Sequence, residues 1–109
     1  MSKMDNIETA MGLIAGAGDS RSHCMQAIDY AREGKFEEAR AELQTAVDAM
    51  VETHEVQTQL IRDEMAGNES PVSLLMVHAQ DHLNLALVTR DMAEEIISLY
   101  ERITGLEEK

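Results

Sequence analysis

Apolar residues recur along most of this chain at alternating intervals of three and four, the spacing that lines one face of an α-helix. The middle of the chain shows it most regularly. Phe36, Ala39, Leu43, Ala46 and Met50 form a stripe that continues as Thr53, Gln57 and Leu60, turning polar in its second half. The other side carries Glu37, Glu38, Glu42, Asp48 and Glu55, the composition of a solvated surface. The N-terminal third is less regular. Ile7, Met11, Ile14, Met25 and Ile28 make a stripe interrupted by Gly16-Ala17-Gly18-Asp19-Ser20. Two glycines inside a helix cost about 1 kcal/mol each relative to alanine. They point to close approach by another helix or to a kink.

The C-terminal third carries two stripes. One is Val72, Met76, Ala79, Leu83, Ala86, Arg90, Ala93, Ile97 and Tyr100; the other is Leu74, His78, Asp81, Leu85, Val88 and Met92. At ~100° per residue they lie well over a quarter-turn apart. Gly34 and Gly67 suit the position just past a helix C-terminus. Ser70-Pro71 reads as an N-cap followed by proline at the first helical position. Gly105 suits a stop. The spacing therefore predicts helices over about 6–33, 36–66 and 71–104, with the first five residues and Leu106–Lys109 frayed. Short connections make neighbours antiparallel, so the expected fold is an all-α, up-down-up three-helix bundle forming a single domain over 1–109. One stripe on the third helix is enough for such a bundle. The second calls for another partner, most simply the same helix from other copies of the chain, meeting in a coiled-coil seam. Spacing alone favours no copy number.

Composition agrees with helices throughout. The 109 residues include one proline and six glycines, and with no tryptophan and 3% aromatics the packing falls to aliphatics, alanine and eight methionines acting as gap-fillers. A net charge of −12 argues against nucleic acid and anionic membranes as partners and favours a basic protein surface. The single cysteine, Cys24, excludes an internal disulfide and reads as a small core residue. There is neither a signal-peptide pattern nor an apolar run approaching ~18 residues, so a cytoplasmic location is expected.

The chemistry concentrates in His78-Ala79-Gln80-Asp81-His82-Leu83. His78 and His82, four residues apart, share a helix side. Asp81 falls in the seam stripe, so each copy would bring a carboxylate towards one axis. Like charges there are resolved by shared protons or by a hard divalent cation such as Mg²⁺; the plain alternative is a wet groove with no role. Two histidines at this spacing beside an aspartate also suit zinc, although His23, His54 and Cys24 supply no matching ligand set. His54 reads as a partly exposed helix residue and His23 as surface. The antiparallel connection places His78 level with Gln57, Thr58 and Gln59. Their amide and hydroxyl groups suit fixing an imidazole tautomer or donating to phosphoryl oxygens.

Three segments together resemble a known family: Ala17-Gly18-Asp19-Ser20-Arg21-Ser22, His54-Glu55-Val56-Gln57-Thr58 and Met76-Val77-His78-Ala79-Gln80-Asp81-His82-Leu83. The chain is similar over nearly its whole length to the IIA component of the lactose/cellobiose (N,N′-diacetylchitobiose) class of the bacterial sugar phosphotransferase system. The resemblance implies a homotrimer of three-helix bundles assembled through helix three. It implies that His78 is phosphorylated on Nε2, that Asp81 from three subunits shares one Mg²⁺ on the axis, and that His82, Gln57 and Thr58 line the phosphoryl site. The implied donor is the phosphocarrier protein HPr. The implied acceptor is a cysteine of the cognate IIB protein, which phosphorylates a disaccharide entering through the membrane component IIC. Asn84 stands where many relatives carry methionine, leaving the His-x-x-Asp-His frame intact. Gln80 receives no role, since helix geometry turns it away from His78. Readings from other classes are an oligomeric helical scaffold without chemistry, which leaves the His78, Asp81 and His82 grouping unexplained, and a zinc-binding bundle.

Overall fold

The computed structural model describes residues 3–109, folded as three helices: α1 (Lys3–Arg32), α2 (Phe36–Met65) and α3 (Leu74–Glu107). They form an up-down-up bundle, 60 Å long and 22 by 20 Å across. Gly34 and Gly67 end the first two helices at φ 81° and 93°, the left-handed conformation that a side chain disfavours. Among the described residues no helix is long and apolar enough to cross a membrane.

Several expected boundaries move. The third helix begins at Leu74 instead of residue 71, because Ser73 is its N-cap: the backbone is extended there and the Ser73 side chain accepts from the Met76 N–H at 3.1 Å. Ser70 and Pro71 belong to the connection, and Val72, placed in the core stripe by spacing, is exposed. Gly105 does not stop α3, which runs on to Glu107 through Leu106; a single glycine costs too little to end a helix alone. At the other end α1 is already helical from Lys3, and residues 1–2 lie outside the described residues.

The α2 stripe holds as read, with Ala39, Leu43, Ala46, Met50 and Thr53 buried. So does the first α3 stripe, with Met76, Ala79, Leu83, Ala86, Ala93 and Ile97 buried and Arg90 half-buried, its guanidinium turned to Asp91. The α1 stripe holds only in part: Ile28 is buried and Ile14 packs against the core. Ile7, Met11 and Met25 are exposed, and the buried line is Ala10, Leu13, Ala17, Ser20, Cys24, Ala27 and Ala31, again in steps of three and four. The reason is size. α1 packs against both neighbours, which touch each other far less. The middle helix of such an arrangement needs small side chains to bring both backbones close. Ser20 completes this line at no polar cost, since its fully buried hydroxyl donates to the Ala46 carbonyl at 2.8 Å. Cys24, 0% exposed, sits among Ala27, Ala46, Ala93 and Ile97, and burial pushes its thiol pKa up.

Gly16 is where α1 and α2 come closest in kind. A Cβ there would lie 1.9 Å from Thr53 Oγ1 and 3.0 Å from Thr53 Cβ. Thr53 is buried and β-branched, so rotating the hydroxyl away leaves the Cβ contact in place. Gly16→Ala should therefore destabilise the bundle by about 1–2 kcal/mol in urea unfolding, the overpacking cost exceeding the ~1 kcal/mol that alanine gains in a helix. Adding Thr53→Ala should return part of the loss. A Gly16→Ala protein more stable than wild type would refute the close-approach account. At Gly18 an added Cβ would meet nothing within 4 Å.

Candidate functional site

Burial of Met76, Ala79 and Leu83 fixes the rotation of α3, and this leaves His78 and Asp81 exposed and His82 half-buried. The spacing of four brings the two imidazoles together. Their Nε2 atoms are 3.0 Å apart, and the rings meet edge to face at 88°, with centroids 4.5 Å apart. One nitrogen must be a donor and the other an acceptor. When His82 donates, His78 Nε2 is unprotonated and its lone pair accepts that bond, which fixes the tautomer a nucleophilic imidazole needs; the bond must be given up before the lone pair can attack. His78 also edges a shallow apolar depression with Leu74 and Leu75. Val72, Leu74 and Val77 are exposed nearby in sequence, an apolar rim around a polar pair.

Asp81 has no hydrogen-bond or ion-pair partner among the described residues of its own chain. No group of three or more His, Cys, Asp or Glu side chains able to hold a metal ion exists among those residues. A single chain thus supplies one carboxylate and no metal centre, so the zinc-bundle reading finds no ligand set here. The second α3 stripe is exposed as an unshared face should be: Leu85, Val88 and Met92 are 60%, 58% and 52% accessible. The apolar edge extends further than the sequence reading took it, through exposed Leu99, Ile103 and Leu106.

Level alone does not bring Gln57 and Thr58 to His78. The Gln57 amide donates to Gln80 Oε1 at 2.7 Å and to Asn84 at 3.5 Å, both on the α2-facing side of α3. The Thr58 hydroxyl donates to the His54 carbonyl of its own helix at 3.0 Å. Within one chain, neither of the two is bonded to His78. Gln80 does turn away, as helix geometry required, and its partners are Gln57 and the Met76 sulfur.

Two features were not read from spacing. The first concerns His23, which is no plain surface residue. Its Nδ1 lies 2.6 Å from Glu42 Oε1 on α2 and its Nε2 lies 3.5 Å from Asp19, so Glu42 is also more than solvated surface. The hydrogen bond with Glu42 raises the His23 pKa above its usual 6.5, against a smaller opposing effect of burial. A raised folded-state pKa stabilises fully below the unfolded value and loses that contribution as pH rises through the folded one. His23→Gln should accordingly cost up to about 1 kcal/mol at pH 5.5 and less at pH 8.5 in paired urea titrations, the small size following from partial exposure. A cost that grows with pH would refute it. The second feature is that His82 also forms the wall of a groove between α1 and α3, opposite Ala17, Gly18, Arg21 and Ser22. A correct small-residue stripe on α1 would have pointed to it.

Residues 8–101 match the family of the PTS system lactose/cellobiose-specific IIA subunit. The lichenan-specific phosphotransferase enzyme IIA component of Bacillus subtilis is 49% identical over 92 residues, 84% of either chain. The solved cellobiose-specific enzyme IIA of the same system from Bacillus anthracis superposes with a TM-score of 0.89 at 35% identity, covering 96% of this chain and 94% of that one. The IIA(chitobiose) chain from solution structures of the Escherichia coli IIA(chitobiose)–HPr complex superposes with a TM-score of 0.78 at 35% identity, covering 95% and 99%.

Proposed function

The chain belongs to the lactose/cellobiose-specific IIA family of the sugar phosphotransferase system, and on that premise we propose that it carries a phosphoryl group on His78 between two other proteins. The observation that bears most weight is the pair of imidazole nitrogens 3.0 Å apart at an exposed turn of α3. The donor is a phosphohistidine of HPr, the partner in the complex of the Escherichia coli relative. The lone pair of His78 Nε2 attacks phosphorus in line. The P–N bond to the donor imidazole breaks as the new P–N bond forms, and the donor ring leaves with its electron pair. The Nε2–H of His82 then passes from the His78 lone pair to a phosphoryl oxygen, holding charge without a proton transfer. In the second half-reaction a thiolate of a IIB protein attacks the same phosphorus, the P–N bond breaks, and His78 regains its lone pair.

Charge and shape support such a carrier. The apolar rim around His78 offers a dry footing for a partner, and a net charge of −12 favours a basic one. The assembly is a homotrimer seamed by the exposed stripe of α3. Asp81 from the three subunits would hold one Mg²⁺, for which carboxylate oxygens are the right donors; such a cation would neutralise those carboxylates. Gln57 and Thr58 are the proposed lining of the phosphoryl site on the α2 side, without a bond to His78 within one chain. The protein works on the cytoplasmic side of a membrane transporter, IIC, and its sugar is a disaccharide of the lactose, cellobiose or chitobiose type. The test is incubation with phosphorylated HPr: one acid-labile, base-stable phosphoryl group per chain is expected, and an unlabelled wild-type chain ends the reading.

A further inference from the structure

The groove between α1 and α3, about 640 Å³ in volume, joins the phosphoryl site to a stretch of α1 that the mechanism has not used. His82 belongs to both. Its Nε2 touches His78, and its side chain lines the groove with Ala17, Gly18, Arg21 and Ser22. A phosphoryl group on His78 therefore lies at the head of this groove. Resting on the assignment of His78 as acceptor, we infer that Arg21 is a phosphoryl-binding residue, its guanidinium taking the oxygens that His82 does not.

The charge pattern carries this. Arg21 is the one cation lining the groove. Arg32, Lys35, Arg40, Arg62 and Arg90 are each in an ion pair; among the described residues Arg21, Arg102 and Lys109 have none, and of these only Arg21 lines the groove, in a chain with 21 acidic side chains. The carboxylates best placed to quench it are engaged elsewhere: Asp19 with His23 at 3.5 Å and Asp29 with Arg32 at 3.1 Å. Asp29 itself lines the groove, with its carboxylate on Arg32. Direction agrees with charge. Side chains on a helix lean towards its N-terminus. α1 and α3 run parallel in this bundle, so Arg21 leans towards the end of α3 that holds His82 and His78. Gly18, three residues earlier on the same side, leaves open space along that line. A planar fork of N–H groups is the side chain best matched to phosphoryl oxygens.

Rapid-quench transfer from phosphorylated HPr, at varied donor concentration, tests the assignment on wild type, Arg21→Ala and Arg21→Lys. The maximal rate of Arg21→Ala should fall roughly 10- to 100-fold, short of the ~10²–10³ for a donor in an enclosed site. The half-saturating donor concentration should change less than about threefold. Arg21→Lys should fall between, and the phosphohistidine ³¹P resonance should move in both variants. An unchanged maximal rate overturns the assignment. So does an effect confined to half-saturation, which would make Arg21 a docking residue, or an altered mass of the assembly in both variants, which would make it structural. A labelled wild type matched by Arg21→Ala removes Arg21 alone, while an unlabelled wild type removes the His78 reading with it.

Discussion

Replacing His78 with alanine should abolish phosphoryl uptake from HPr, while His82→Ala should retain uptake at a rate lower by about 10²-fold. The asymmetry follows from the two roles. On the proposed mechanism His78 provides the atom that becomes bonded to phosphorus, and Asp81, a weaker nucleophile, does not replace it. His82 supplies one hydrogen bond, whose loss leaves attack possible but poorly compensated. Neither substitution touches the core, since His78 is exposed and His82 half-buried, so far-ultraviolet circular dichroism and thermal midpoint should stay close to wild type. Equal loss from the two variants would mean that the imidazoles act as one unit. Undiminished, acid-labile labelling of His78→Ala would place the acceptor elsewhere in the chain.

Turning the exposed edge of α3 polar at its centre, with Leu85→Glu and Val88→Glu together, should convert the proposed trimer to single chains of 12.1 kDa. Each apolar side chain withdrawn from a dry seam forfeits about 1.5–3 kcal/mol, and a carboxylate placed there adds a desolvation penalty. A combined loss of ~4 kcal/mol or more per subunit weakens association at least about a thousandfold. Light scattering should give three times the chain mass for wild type and one chain mass for the double variant. Asp81→Leu separates two meanings of the proposed axial cation. If Mg²⁺ relieves repulsion among carboxylates, this variant keeps the trimer and becomes indifferent to EDTA, which should loosen the wild type. Dissociation of Asp81→Leu would instead make the ion a tie between subunits. A wild-type mass of one chain at micromolar concentration would dispose of the seam altogether.

The reach of pattern reading differed along the molecule for identifiable reasons. α2 and the core stripe of α3 were legible because large aliphatics sit on their buried faces and carboxylates or amides on the outside. α1 misled in part because Ile7, Met11 and Met25 face outwards, while alanine, serine and cysteine share the core face with Leu13 and Ile28. Close packing there selects for small volume, which a count of hydrophobic residues does not register. The start of α3 shifted because Ser70 and Ser73 are equally good caps on paper, and only the Met76 N–H chooses between them. At the site, the i,i+4 relation of His78 and His82 was visible because it lies within one helix. The bond from Gln57 to Gln80 and the facing of Arg21 and His82 were not, since they depend on how α2 and α3 rotate against α1.

The sequestration of Cys24 has a practical corollary. As the only sulfhydryl, closed off by alanines from all three helices and held in its unreactive protonated form, it answers a thiol-specific reagent only in molecules whose helices have come apart. The pace of its modification under native conditions is then a built-in clock for transient opening, readable by mass spectrometry without a label or an engineered probe.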